Sequence, residues 1–118
     1  NLEFLYTIRN KLNKKYMYSV LEKVGLEPRS KIPVGKYSLG MRQRLAIGQA
    51  IMENPDILIL DEPMNGLDKN GVQEMRGLFE QMKNEGKLII LASHNREDID
   101  VLCDEVYEME NGILKKRR

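Results

Sequence analysis

The amino-acid sequence predicts an α/β fold in which a helical segment precedes a mainly parallel sheet. Two short apolar runs, residues 57–60 and 88–92, resemble strands that are buried on both faces of such a sheet. Between them, apolar side chains repeat at helical spacing. A strand, a helix and a second strand in this order form a right-handed crossover unit, and such units build sheets covered by helices.

Composition limits the class of protein. The 118 residues are 42% hydrophobic and 31% charged, which fits one soluble domain with a buried core. The first residue is Asn1 and no stretch resembles a signal peptide or an apolar span, so the sequence favours a trimmed cytosolic segment. The lone Cys103 cannot form an internal disulfide and is expected to serve in packing.

Charge is distributed unevenly along the chain. The formal net charge is +1, and residues 115–118 are all basic, so the remainder is net negative. This balance excludes a basic nucleic-acid surface on the body of the protein. The basic residues at the end are expected to form a solvated terminus.

Helices are predicted in the first part of the chain. Apolar residues recur at helical spacing within residues 2–12 and again within 17–24, and Gly25 supplies a stop. Residues 25–37 contain prolines and glycines and are typical of a connecting loop. The sequence therefore predicts two short helices followed by a loop.

A third helix begins after Ser38, a residue type favoured as an N-cap. It is expected to span residues 39–53, because Asn54 precedes a proline and such residues avoid the helical region. The first apolar strand follows at once. Pro63 then interrupts its hydrogen-bonding ladder.

The remaining elements follow from capping and turn signals. Asp68 can cap a helix that Gly86 ends, and the second apolar strand comes next. A short helix is expected near residues 96–103 and a strand over 105–110, and Asn111-Gly112 form a hairpin turn into the last strand. The inward face of the capped helix is predicted to consist of Val72, Met75, Phe79 and Met82.

The candidate catalytic residues are concentrated where the predicted strands end. Asp61 and Glu62 follow the first strand, and His94, the single histidine, follows the second. The carboxyl ends of parallel strands meet at one edge of the sheet, where α/β proteins bind their ligands. The alternative to a ligand-binding role is that Asp61 and Glu62 are solvated acids at the end of a strand. His94 would then be an ordinary packed or exposed residue. Ser38 could bind an anion at the helix N-terminus or act only as a cap.

In this order, the parts resemble the C-terminal half of an ATP-binding-cassette ATPase, the engine of ABC transporters. The resemblance covers nearly all 118 residues. Residues 37–41 take the place of the family's Leu-Ser-Gly-Gly-Gln signature, residues 57–62 of the strand ending in Asp-Glu, residues 65–68 of the D-loop, and His94 of the switch histidine.

The signature segment departs from the family pattern at Tyr37, Leu39 and Met41, which replace leucine, glycine and glutamine. Such Ser-Leu-Gly-Met variants resemble those of antibiotic-peptide and multidrug exporters. In fold, the resemblance implies part of a P-loop NTPase. A helical signature subdomain would occupy residues 1–54, and the C-terminal part of the ATPase core would occupy residues 55–118.

The resemblance also implies a role for each residue at the sheet edge. Asp61 would hold Mg²⁺, Glu62 would orient and deprotonate the attacking water, and His94 would contact both Glu62 and the γ-phosphate of ATP. Because neighbouring strand residues point to opposite faces, Asp61 and Glu62 are expected to have different tasks. Ser38 and Gly40 would bind the γ-phosphate of the ATP held by a second subunit, and Asp68 would communicate across that dimer.

In function, the resemblance implies part of the ATP-binding subunit of an ABC transporter, which couples ATP binding and hydrolysis to transport. The implied partners are a second nucleotide-binding subunit and a transmembrane permease, with no nucleic acid, at the cytoplasmic face of the membrane. The phosphate-binding loop G-x-x-x-x-G-K-S/T is absent from the sequence, so this chain alone is expected to be inactive.

Two alternatives stay open on the sequence. One is a soluble cassette ATPase that acts on nucleic acid or ribosomes. The other is a non-catalytic interaction module whose first helices dock a partner.

Overall fold

The computed structural model describes residues 14–118. The helix predicted within residues 2–12 lies outside this part of the chain. Within it, a single 3-10 turn, Val34–Lys36, precedes the second helix. The helices and strands in chain order are α1 Lys14–Lys23, α2 Leu39–Ile51, β1 Ile57–Asp61, α3 Lys69–Asn84, β2 Leu88–Ala92, α4 Arg96–Leu102, β3 Tyr107–Glu110 and β4 Ile113–Lys116.

Strands β1 and β2 pair in parallel, and α3 crosses from one to the other. Ile57 lies opposite Leu88, and Asp61 lies opposite Ala92. The predicted crossover unit is therefore present, and both strands end at the same edge. Strands β3 and β4 form a separate antiparallel hairpin.

One hydrophobic cluster joins α1, α2, β1 and α3. Helix α2 contacts β1, and α3 contacts β2. The largest fully buried side chains are Val20, Val24, Ile47 and Met75. The cluster draws on both of the predicted parts, 1–54 and 55–118, and the boundary between them stays a prediction.

The expectation that both strands are buried on both faces is wrong for this chain. Leu58 is 3% exposed and Leu60 is 7% exposed, whereas Ile57 and Ile59 are 56% and 72% exposed. Strand β2 shows the same alternation, with Leu88, Ile90 and Ala92 turned outward. Successive side chains of a strand point to opposite faces, and the described helices cover only one of them.

Helix ends follow the predicted capping residues. Ser38 accepts a hydrogen bond from the Met41 amide, and Asp68 accepts one from the Gly71 amide. Helix α2 ends at Ile51, two positions before the predicted end. These caps orient the first turns of α2 and α3, which flank the carboxyl end of β1.

The basic terminus is exposed, as predicted, and it is also paired with the protein. Arg117 Nε lies 2.6 Å from Glu108 Oε2. Arg118 Nη2 donates to the carbonyl oxygens of Cys103, at 2.6 Å, and Ile99, at 3.3 Å. Cys103 is half-buried, and this burial raises the pKa of its thiol.

Candidate active site

The site lies where β1 and β2 end. Asp61 is the last residue of β1, and the chain turns at Glu62, whose φ of 47° falls in the left-handed region. That conformation is uncommon for a residue with a side chain and costs on the order of 1–3 kcal/mol. The Glu62 amide still donates to the Ala92 carbonyl oxygen at 2.8 Å, so the turn stays attached to β2.

Glu62 and His94 are in direct contact. Glu62 Oε1 lies 2.6 Å from His94 Nδ1 and accepts a second hydrogen bond from the His94 backbone amide at 2.9 Å. The Glu62 side chain is 36% exposed and that of His94 is fully exposed. Two donors thus orient one carboxylate oxygen, and within the described residues Oε2 makes no hydrogen bond. The predicted contact between the two side chains is present, and their catalytic roles stay predictions.

Asp61 immediately precedes Glu62 in the chain and is exposed. Across residues 14–118, no group of three or more His, Cys, Asp or Glu side chains could hold a metal ion by itself. Mg²⁺ is commonly bound through one or two carboxylates, with water and phosphate oxygens as its other ligands. The donor set therefore fits a Mg²⁺ ion that takes only one or two ligands from this chain.

The N-terminus of α2 lies against the loop that follows β1. A Cβ atom added to Gly40 would lie 3.0 Å from the Gly66 carbonyl oxygen, so the absence of a side chain at Gly40 allows this approach. Gly66 has a φ of 81°, and a Cβ there would lie 2.6 Å from Leu39 Cγ. Leu39, which departs from the family signature, thus covers the D-loop glycine of its own chain.

Ser38 and Asp68 both act as caps in this structure. Ser38 Oγ accepts from the Met41 amide at 3.1 Å, and Asp68 Oδ1 accepts from the Gly71 amide at 2.7 Å. Each helix N-terminus carries a partial positive charge that favours an anion. Binding of the partner's phosphate by Ser38 and Gly40, and communication by Asp68, stay predictions.

Sequence reasoning missed Gln43. Its side-chain Nε2 donates to the Glu62 carbonyl oxygen at 2.9 Å and so joins α2 to the carboxyl end of β1. The residue lies on α2, five positions after the cap at Ser38. Neither hydrophobic periodicity nor motif spacing distinguishes it from the other polar residues of that helix.

Sequence reasoning also missed an ion pair that involves the helix following His94. Arg76 on α3 donates to Asp98 Oδ1 through Nη2 at 2.7 Å and Nε at 3.1 Å. Asp98 is 3% exposed and lies on α4, the helix that begins just after the His94 loop. The pair therefore ties that helix to α3.

Comparison with known proteins identifies the family. The family model described as ABC transporter matches residues 2–65, which include Ser38, Gly40, Asp61 and Glu62. The uncharacterized ABC transporter ATP-binding protein YybJ of Bacillus subtilis (strain 168) is 44% identical over 115 residues, which are 98% of this chain and 53% of that protein.

Two further relatives are named for transport. The bacitracin transport ATP-binding protein BcrA of Enterococcus faecalis is 40% identical, over 97% of this chain and 37% of its own length. The lantibiotic transport ATP-binding protein SrtF of Streptococcus pyogenes is 47% identical, over 82% of this chain and 43% of its own length. The chain thus spans about half or less of these relatives.

A solved structure shows the same fold. The ATP-binding cassette MJ0796, in a dimeric post-hydrolysis state bound to ADP and Pi, superposes with a TM-score of 0.83. The match covers 99% of this chain and 55% of that chain at 21% identity, so the α/β fold is part of a P-loop NTPase fold. No helix within residues 14–118 is long and apolar enough to cross a membrane. The family-model match and the level of identity to YybJ together show that this chain belongs to the ABC transporter ATP-binding family.

Proposed function

We propose that this chain is the C-terminal part of an ABC transporter's ATP-binding subunit, in which it serves ATP hydrolysis coupled to transport. The observation that carries the proposal is the contact between Glu62 and His94 at the carboxyl end of β1. A carboxylate that two donors orient, with its second oxygen open, has the arrangement expected of a general base. In the longer protein, called the full-length subunit below, the phosphate-binding loop would come from residues outside this chain.

Glu62 would accept a proton from the attacking water through Oε2, while His94 holds Oε1 and contacts the γ-phosphate. Asp61 would bind Mg²⁺, which supplies positive charge to the phosphates when bound. The different positions of Asp61, at the end of the strand, and Glu62, in the turn after it, support this division.

The N-terminus of α2 would bind the γ-phosphate of an ATP molecule held by a second nucleotide-binding subunit. Ser38 and Gly40 lie in its cap and first turn, where the helix favours an anion. Asp68, at the cap of α3, would contact the partner subunit. The solved dimer of a cassette with the same fold supports this pairing.

A transmembrane permease would be the other partner, with the subunit peripheral on the cytoplasmic face of the membrane. The relatives named for bacitracin and lantibiotic transport favour an exporter of peptide antibiotics. The named relatives are transporter proteins, which favours this function over an ATPase acting on nucleic acid or ribosomes. The contact between Glu62 and His94 favours an enzyme over a non-catalytic interaction module.

The test is Glu62→Gln in the full-length subunit. The amide keeps the shape of the side chain but cannot accept the proton, so we expect ATP binding to persist while kcat falls by ~10²–10⁴-fold. Glu110→Gln makes the same change at an exposed position of β3 and should leave both quantities unchanged. Parent-like turnover by Glu62→Gln would remove Glu62 from the mechanism.

A further inference from the structure

We propose that Gln43 is a positioning residue for Glu62, and that it couples the N-terminal part of α2 to the base. This inference rests on the proposed function, because it concerns how the base is held for hydrolysis. Gln43 contacts the backbone of Glu62, not its carboxylate, and therefore acts through that residue.

Hydrogen bonds hold the backbone of Glu62 from both sides. Its amide donates to the Ala92 carbonyl oxygen at 2.8 Å. Its carbonyl oxygen accepts from the Asn65 amide, at 3.1 Å, and from Gln43 Nε2, at 2.9 Å. The first two bonds lie within the sheet edge and its turn. The Gln43 bond is the one among them that comes from a helix.

The conformation of Glu62 explains why an additional bond matters. A φ of 47° is unfavourable for glutamate, and such a conformation persists only where the surroundings hold it. The direction of the Glu62 side chain follows from this backbone, and so does the contact between Oε1 and His94. Without the Gln43 bond, Glu62 can relax toward ordinary dihedral angles and lose its alignment with His94.

The same helix carries the proposed phosphate-binding segment. Gln43 is on the face of α2 that meets the loop after β1, and Gly40, one turn earlier, packs on the Gly66 carbonyl oxygen. These two contacts make the start of α2 and the turn at Glu62 move together. A shift of the helix N-terminus would thus be transmitted to the base.

Kinetics of the full-length subunit test this role. Gln43→Ala should lower kcat by roughly 10- to 100-fold, because misplacing a reacting group by about 1 Å has effects of that size, and should leave KM for ATP nearly unchanged. Gln49→Ala is the matched control, since Gln49 lies on the same helix and makes no side-chain hydrogen bond with the described residues. It should retain the parent kcat.

A double-variant comparison separates positioning from general damage. If Gln43 acts through Glu62, adding Gln43→Ala to Glu62→Gln should lower the residual turnover little further, because the two changes remove one function. A full additional loss in that background would overturn the proposal. So would a parent-like kcat in Gln43→Ala itself.

A second readout does not need turnover. In the 118-residue chain His94 is the single histidine, so both imidazole ¹⁵N signals belong to this residue, and the Nδ1 signal is the one to follow. Gln43→Ala and the isosteric Gln43→Glu, which replaces the donor by an acceptor, should both shift this signal toward that of a free imidazole. Gln49→Ala should not.

The two readouts distinguish failure of this inference from failure of the proposed function. A full-length parent without ATPase activity would contradict the proposed function. The Nδ1 signal would still decide whether Gln43 orients the Glu62–His94 pair. An unchanged Nδ1 signal in a folded Gln43→Glu chain would overturn the positioning role even if the parent hydrolyses ATP.

Discussion

Individual residues at the sheet edge combine a structural task with a proposed chemical one. Glu62 adopts a costly backbone conformation, and hydrogen bonds from different parts of the chain hold it there. Ser38 caps α2, and a cap explains its contact with the Met41 amide without any ligand. A substitution that separates capping from phosphate binding is therefore needed to assign Ser38.

Ser38→Arg in the full-length subunit, on the Glu62→Gln background, should abolish ATP-driven dimerisation and leave the affinity of each monomer for ATP nearly intact. The large side chain would block the approach of the partner's phosphate to the helix N-terminus. Sedimentation with and without ATP measures the effect. Ser38→Ala is the control for the cap alone, with an expected loss of ~0.5–2 kcal/mol in stability.

If Ser38→Arg still forms dimers with ATP, Ser38 acts only as a helix cap and does not bind the partner's phosphate. The same conclusion would follow if Ser38→Arg and Ser38→Ala changed only the melting temperature, and by similar amounts.

Among the elements, α4 shows how a short helix positions a loop. Its first turn is capped by Asn95, directly after His94, and Asp98 in that turn pairs with Arg76 of α3. The end of the chain reaches its last turn, where Arg118 donates to the Ile99 and Cys103 carbonyl oxygens. Both ends of α4 are thus fixed, and the His94 loop, which starts at the end of β2, runs into a helix that is held in place.

Asp98→Ala should therefore destabilise the chain by about 3 kcal/mol, because it removes one member of a buried ion pair and leaves the largely buried Arg76 only its longer contact, 3.9 Å, with the exposed Glu97. Asp98 is 3% exposed. Asp100→Ala on the same helix is the matched control, since the Asp100 side chain is 62% exposed and lies 3.5 Å from Arg118. Its cost should be at most about 1 kcal/mol.

Urea unfolding of the 118-residue variants measures both changes. Similar unfolding midpoints for Asp98→Ala and Asp100→Ala would show that the ion pair between Asp98 and Arg76 contributes no more to stability than an exposed ion pair does.

Taken whole, the described chain combines a packed helical layer with an open sheet face. Ile59 and Ile90 are 72% and 50% exposed on β1 and β2, while Leu58 and Leu60 lie in the core. Glu62, His94 and Asp61, the residues proposed as the base, its partner and the Mg²⁺ ligand, lie at one end of this sheet. The sequence contains no G-x-x-x-x-G-K-S/T loop to hold the β- and γ-phosphates.

The 118-residue chain should accordingly show no steady ATP turnover, because phosphoryl transfer depends on positioning the phosphates as well as the water. A phosphate-release assay with Mg-ATP, run beside the full-length subunit, measures this. If the chain showed steady turnover and Glu62→Gln abolished it, the 118 residues would hold the phosphates without that loop.

Much of the fold could be predicted from the sequence because its signals are local. Capping by Ser38 and Asp68, and the apolar runs of β1 and β2, depend on residues within a few positions of one another. The order of strand, helix and strand then implied that Asp61, Glu62 and His94 share one edge. The motifs at that edge indicated the ABC transporter ATP-binding family, which the comparisons confirm.

Only the tertiary structure decided how these parts meet. The sequence alone did not reveal that Gln43 reaches Glu62 across 19 positions, or that Arg76 reaches Asp98 across 22. It also missed the left-handed conformation of Glu62 and overstated the burial of the strands. The physical reason is shared: a hydrogen bond, a strained turn or the covering of a sheet face depends on which distant side chains packing brings together.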